Sequence, residues 1–195
     1  MDADSWDRRY AEADLVWSAD PNQFVAAELA DLPPGTAVDL AAGEGRNALW
    51  LASLGWRVTA VDFSAVALDK GRQIAEARGL DVEWVHADLA GYTAPAADLV
   101  LIAYLQVPPA LWEPVLARAV AAVAPGGTLL LVGHDATNLT EGTGGPQDLE
   151  RLWSVDGIVA ALGDLRVRRA ERVRRPVAGK PDAIDTLVRA ERSPA

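Results

Sequence analysis

Asp39 lies inside an apolar run, Ala37 to Ala42, four residues ahead of a glycine-spaced turn, Gly43-Glu44-Gly45, that leads straight into a helical pattern. Glycines at this spacing let the backbone turn tightly and let a ligand approach strand ends and the first N–H groups of a helix. The pattern reads as a cofactor loop. Gly43-x-Gly45-x-x-Ala48 alone fits a loose dinucleotide fingerprint. Asp39 argues against hydride transfer, because an apolar core residue normally stands there and a strand acid needs a partner. Asp62 closes the next apolar run in Val61-Asp62-Phe63-Ser64, where a carboxylate can accept both hydroxyls of a ribose. Phe63 offers an apolar wall, or simply core.

A second group of chemically capable residues lies further along. Ala103-Tyr104-Leu105-Gln106 ends a fourth apolar run, and in open α/β sheets ligands lie outside the carboxyl ends of the strands. Tyr104 and Gln106 therefore face the zone where a substrate would react. His134 and Asp135 follow a fifth run onto the same rim as candidate bases, His134 first, or as purely structural residues. The chain has no cysteine and two widely separated histidines. Disulfides, thiolate metal sites and a thiol nucleophile are excluded, no zinc cluster or other metal site is expected, and an organic cofactor must supply the chemistry.

These residues need a scaffold of alternating strands and helices. Periodicity predicts strands at Ala37–Ala42, Arg57–Asp62, Val82–His86, Asp98–Ala103 and Thr128–Gly133, with helices over Gly45–Leu54 and from an N-cap at Ser64 to Gly79. A helix opening at Pro108-Pro109 carries Leu111, Trp112, Val115, Leu116, Ala119, Val120 and Val123 along one face, and Pro125-Gly126-Gly127 stops it. After a glycine-rich loop, Gln147 to Leu162 reads as mostly helical. Leu165–Arg175 and Ala183–Ala190 read as a terminal antiparallel hairpin. The expected fold is α/β: a Rossmann-like three-layer sandwich around a seven-stranded, mostly parallel sheet with a C-terminal antiparallel hairpin.

A chain of 195 residues can bury ~70% of its unfolded surface in one core, so a single domain is expected over 1–195. Within it, residues 1–34 read as a helical cap, 36–135 as a cofactor-binding core, and 136–195 as a substrate-rim loop, helix and hairpin. No apolar run approaches a membrane span and the first residues are acidic, so a cytoplasmic protein that does not bind membranes is expected. The net charge of −10 argues against nucleic acid as a partner. Arg166, Arg168, Arg169, Arg172, Arg174 and Arg175 crowd one segment and read first as a solvated edge strand.

Asp39-x-Ala41-x-Gly43-x-Gly45 resembles the signature of class I S-adenosylmethionine-dependent methyltransferases, and Asp39 to Asp62 is similar to the tellurite-resistance and thiopurine methyltransferase branch. His86-Ala87-Asp88-Leu89 and Ala124-Pro125-Gly126-Gly127 follow in that family's order, so the resemblance covers residues 36 to 135. Ala41 departs from it, standing where the family usually has glycine. The resemblance implies that the loop makes room for the amino-acid half of S-adenosylmethionine, with S-adenosylhomocysteine as product. Asp39 would bond the cofactor's ammonium or else orient the loop. Asp88 would accept the adenine amino group beside the Leu89 N–H, and Arg46, Asn47, Ser64 and Ala103 complete the expected binding set. Related N-terminal segments cover the cofactor, so Tyr10 or Trp17 is expected to close over its methionine end; stapling the segment to the core is the alternative.

Methyl transfer from a sulfonium is an in-line displacement that depends on alignment. A thiolate, metalloid anion or halide acceptor needs no base, whereas an alcohol or amine makes His134 or Asp135 important. A small-molecule acceptor is expected, with the chain a monomer or homodimer. A cofactor-binding module without transfer activity and a nicotinamide-dependent oxidoreductase are the other classes; the second lacks a tyrosine with a lysine four residues on.

Overall fold

The computed structural model describes residues 3–12, 15–16 and 19–195. Two short helices, α1 (Ala3–Ala11) and α2 (Gln23–Leu29), precede the alternating core. That core runs β1 (Thr36–Leu40), α3 (Arg46–Ser53), β2 (Arg57–Asp62), α4 (Ala65–Arg78), β3 (Val82–His86), β4 (Ala97–Ala103), α5 (Pro109–Ala122) and β5 (Val123–His134). There follow α6 (Asn138–Glu141), a 3₁₀ turn (Leu149–Arg151), α7 (Val155–Ala160), β6 (Arg166–Val177) and β7 (Lys180–Glu191). Seven of these strands form one sheet in the order β3-β2-β1-β4-β5-β7-β6. The first five run parallel, and β7 lies antiparallel between β5 and β6.

The expected three-layer architecture follows from strand alternation. On one face Val38, Leu40, Val100, Ile102, Leu129 and Leu131 pack with Val115, Leu116 and Ala119 of α5 and Ile158 of α7. On the other, Ala37, Leu99, Leu101, Leu130 and Val132 meet Val25 and Leu29 of α2 and Ala48, Leu49 and Leu51 of α3. Asp39 shares the side of Ala37 and so points toward α3.

Several elements depart from the pattern for local reasons; β5, for one, begins at Val123, so Pro125-Gly126-Gly127 falls inside the strand. Strand β1 ends at Leu40 because Ala41 turns into the left-handed region at φ 62°. On α5, Leu111 faces out, with more than half its surface exposed, since the helix presents Val115, Leu116, Ala119 and Ala122 to the sheet. The span 147–162 is helical only in pieces. Asp148 caps the 3₁₀ turn and Ser154 caps α7, while Trp153 between them bridges to Asp135 and exchanges backbone hydrogen bonds with His134 and Ala136. Among the described residues, no helix is long and apolar enough to cross a membrane.

Candidate functional site

Strand order reverses between β1 and β4, so a crevice opens at their carboxyl ends. Both strands leave it through a strained residue: Ala41 has φ 62° and Tyr104 φ 61°. Such values cost a residue with a Cβ roughly 1–2 kcal/mol and concentrate at functional sites. Gly43 at φ 57° and Gly45 at φ 76° complete a loop of alternating left-handed turns.

Asp62 holds that loop. Its Oδ2 accepts from the Gly43 N–H at 2.8 Å and its Oδ1 from the Ser64 N–H at 2.9 Å. Burial pushes the Asp62 carboxyl up, and the backbone donors at Ser64, Gly43 and Phe63 pull it part of the way back. Asp39 differs. It is 1% exposed, and neither carboxylate oxygen closes a hydrogen bond within the protein. Burial, and then repulsion from Asp62, push it up to about 7, with Arg46 and the nearby Ala48 N–H only partly opposing this. A buried carboxylate lacking partners is a site shaped for a cationic donor.

The neighbours of the loop have assorted duties. Gly45 makes room for protein: a Cβ there would sit 2.4 Å from the Trp84 ring, so this glycine seats α3 against β3. Its expected role in accommodating a ligand is thereby joined by a packing one. Arg46 opens α3, with its basicity lowered by burial and partly restored by Tyr104 and Asp39. Asn47 is buried and accepts from the Asn22 N–H at 2.9 Å, fixing the start of α2. Ser64 is the expected N-cap of α4, accepting from the Ala67 N–H, while its hydroxyl donates to Asp7 of α1.

Further along the crevice, Phe63 is half-buried, with its carbonyl 2.9 Å from His86 Nε2. Asp88 is exposed; its Oδ1 accepts from the Ala90 N–H at 2.8 Å, and Leu89 beside it is buried. Ala103 is the half-buried last residue of β4.

The N-terminal segment lies across the loop side of the crevice. Tyr10 is buried and stacks on Trp6 at 5.5 Å. Lys70 of α4 donates to the Tyr10 carbonyl, and the Val16 N–H reaches both Glu44 oxygens at 3.0 and 3.2 Å. Trp17 lies outside the described residues.

On the other side the rim carries a cluster only half visible in the sequence. Tyr104 Oη donates to Asp185 Oδ2 at 2.8 Å and accepts from Asn22 Nδ2 at 3.1 Å and Arg175 Nε at 3.2 Å. Burial and the Asp185 charge push its phenol well up, so Tyr104 stays protonated. His134 Nδ1 is 3.1 Å from Asp185 Oδ1, and the His134 ring meets Tyr104 edge-on at 5.1 Å. Asp135, expected as an alternative base, is instead a brace. It is fully buried, and its oxygens take Thr137 N–H and Oγ1, Arg172 Nε and Thr186 Oγ1. Gln106 accepts from the His134 N–H and donates to the Arg151 carbonyl, which shapes the rim. Asn138 staples α6 to Ile184 and to the Gly144 carbonyl.

Asp185 and Arg175 were not anticipated. Asp185 had a legible signal, being an acid inside the apolar run 183–188, as Asp39 is in its own strand. Arg175 looked like its five neighbours, and only pairing across the hairpin, Nε to Asp185 Oδ2 at 2.9 Å, distinguishes it.

Comparison with known proteins bears on the same residues. The family described as "Methyltransferase domain" matches residues 37–127. The tRNA 5-carboxymethoxyuridine methyltransferase of Escherichia coli (strain K12) is 31% identical over 107 residues, 52% of this chain and 41% of that protein. The demethylmenaquinone methyltransferase of Thermus thermophilus is 36% identical over 125 residues, 62% of this chain and 54% of that protein. The chain thus spans about half the length of the curated relatives it matches. In fold, the crystal structure of TehB from Haemophilus influenzae superposes with a TM-score of 0.78 at 14% identity, covering 98% of this chain and 67% of that one.

Proposed function

The chain being by family a class I S-adenosylmethionine-dependent methyltransferase, we propose that it transfers a methyl group from S-adenosylmethionine to a small-molecule acceptor. One observation carries the reading furthest: the buried Asp39 carboxylate, without a closed hydrogen bond, beside a glycine turn at the switch point of the sheet. A dinucleotide would place anionic phosphate at the turn beside such a carboxylate, whereas an α-ammonium gives it a charge-assisted partner.

The residues present fit that cofactor. Asp39 takes the ammonium. Asp62 uses one lone pair of each oxygen on the loop and keeps the others for ribose hydroxyls. Phe63 walls the adenine, with Asp88 and Leu89 at its polar edge. Tyr10 covers the methionine end. When bound, the cofactor supplies an activated methyl group on a cationic sulfur. The chain contributes alignment, worth up to ~7–11 kcal/mol when reacting atoms are well placed, and exclusion of water beneath α1.

A small acceptor is favoured by charge. The net charge is −10, and four of the six arginines of β6 are paired: Arg168 with Glu191, Arg169 with Glu171 and Glu28, Arg172 with Asp135, and Arg175 with Asp185. Little of that cationic surface is left to neutralise a phosphate backbone, as a tRNA acceptor would require.

Calorimetric titration with S-adenosylmethionine, S-adenosylhomocysteine and NAD tests the cofactor. Micromolar binding of the first two, lost in Asp62→Ala, is expected. Binding of NAD alone would overturn the proposal. Binding without transfer to any member of a broad acceptor screen would favour a non-catalytic module.

A further inference from the structure

Resting on that reading, we propose that His134 Nε2 takes a proton from the acceptor, with Asp185 as the residue that positions it, so that the acceptor's nucleophile arrives as a neutral hydroxyl or amine. The pairing is built into the sheet. His134 ends β5 directly opposite Asp185 on β7, and Asp185 is fully buried. Its two oxygens divide their work: Oδ2 serves Tyr104 and Arg175, and Oδ1 faces His134 Nδ1 at 3.1 Å.

Arg175 gives this arrangement its chemical sense. A buried carboxylate facing a lone imidazole would draw a proton onto the ring and leave an ion pair with no basic nitrogen. Here Arg175 already balances the charge. Burial would raise Asp185, but His134, Arg175 and Tyr104 together hold it below the ordinary carboxylate range. Only the Nδ1 edge of the ring faces Asp185, which leaves Nε2, on the opposite edge, as the nitrogen to receive a proton. Tyr104 cannot serve instead, since its hydroxyl is committed to Asp185. The titratable groups that face the ring are Asp185 on β7 and Tyr104 after β4, and Arg175 on β6 bonds to both of them.

The loop above packs on the ring: a Cβ at Gly145 would lie 2.6 Å from His134 Cδ2 and 3.0 Å from Nε2, so only glycine fits there. A thiolate, halide or metalloid oxyanion would need no base. A neutral O–H or N–H makes use of one. Its proton passes to Nε2, its lone pair forms the bond to the methyl carbon, and the carbon–sulfur pair stays on sulfur. The imidazolium then yields its proton to water.

Long-range ¹H–¹⁵N correlation of the imidazoles tests this in the full chain, which has two histidines, His86 serving as internal reference. His134 should carry its proton on Nδ1, and Asp185→Asn, whose amide donates toward Nδ1, should move that proton to Nε2. Transfer from labelled S-adenosylmethionine is then compared for 4-nitrophenol, aniline, benzenethiol and iodide. His134→Gln should lower labelling of the phenol or aniline by ~100-fold or more while changing cofactor affinity less than about twofold. A wild-type ring protonated at Nε2, a tautomer indifferent to Asp185→Asn, or labelling of thiol and iodide that His134→Gln leaves intact would overturn the inference. If no probe is labelled, the tautomer decides. Failure to bind S-adenosylmethionine is read separately by calorimetry and would instead overturn the cofactor reading.

Discussion

Asp39 and Asp62 stand near the carboxyl ends of neighbouring parallel strands and repel one another, and the backbone satisfies only Asp62: its oxygens take the Gly43 and Ser64 N–H groups, while those of Asp39 close no hydrogen bond. One acid builds the loop, and the other is left without a closed hydrogen bond. The difference follows from position. Asp62 is the last residue of its strand, where the chain turns and offers N–H groups, whereas Asp39 is still within the β1 ladder and faces α3.

Stability should therefore depend on pH through Asp39. Its folded value of about 7 lies above its ordinary 3.8, so the protonated form is favoured by folding. This contribution is complete below about pH 4 and is lost as pH rises through 7, each unit in that window being worth about 1.4 kcal/mol. Asp62, also raised, acts in the same direction, while Asp185, held low, acts oppositely and only in acid. In thermal melts of the ligand-free chain, Asp39→Asn should gain several degrees relative to wild type between pH 5 and pH 8.5, at about 2–4 °C per kcal/mol. A difference that does not change with pH would show that Asp39 is not the titrating group.

Ala41 carries strain that its sequence position already hinted at. A residue with a Cβ at φ 62° is held roughly 1–2 kcal/mol above its relaxed state, and glycine gives back about half of that through its freer unfolded chain. Ala41→Gly should raise the melting temperature by about 2 °C. A fall instead would mean that the methyl group packs usefully.

The N-terminal segment is latched by Asp7 to Ser64, the Tyr10 carbonyl to Lys70 and the Val16 N–H to Glu44. Lys70→Ala should loosen this cover, weakening S-adenosylmethionine roughly three- to tenfold, on the order of 1 kcal/mol for a charge-assisted bond, with the melting temperature changed by less than about 3 °C. A large fall in melting temperature with affinity unchanged would make the segment a structural staple.

Much of this molecule is legible from its sequence, for physical reasons that also mark where reading stops. Strands β2 and β3 are bounded as their apolar runs are, because Gly55 and Gly79 end the preceding helices cleanly in left-handed conformations. The span 147–162 misleads, because a helical period persists across Trp153, which the sheet recruits as a bridge to Asp135. At the site, Asp39 stands out through its apolar neighbours, and the same logic applied to Ala183-Ile184-Asp185-Thr186 would have found Asp185. Asn22 carries no such sign. Its backbone N–H donates to Asn47 on the loop helix and its side chain to Tyr104 on the rim, and both bonds form only once α2 has packed against the sheet.

Proton release on S-adenosylmethionine binding tests the central claim most directly. Titrations between pH 5.5 and 7 in buffers of different ionisation enthalpy count the protons that leave when an ammonium meets Asp39. Close to one proton should be released at pH 5.5 and about half at pH 7, with affinity rising roughly tenfold across that range, and Asp39→Asn should abolish the release. Binding of equal strength at both values with no proton released would contradict the account, because the cofactor would then sit in the crevice without ionising the one acid placed there to hold it.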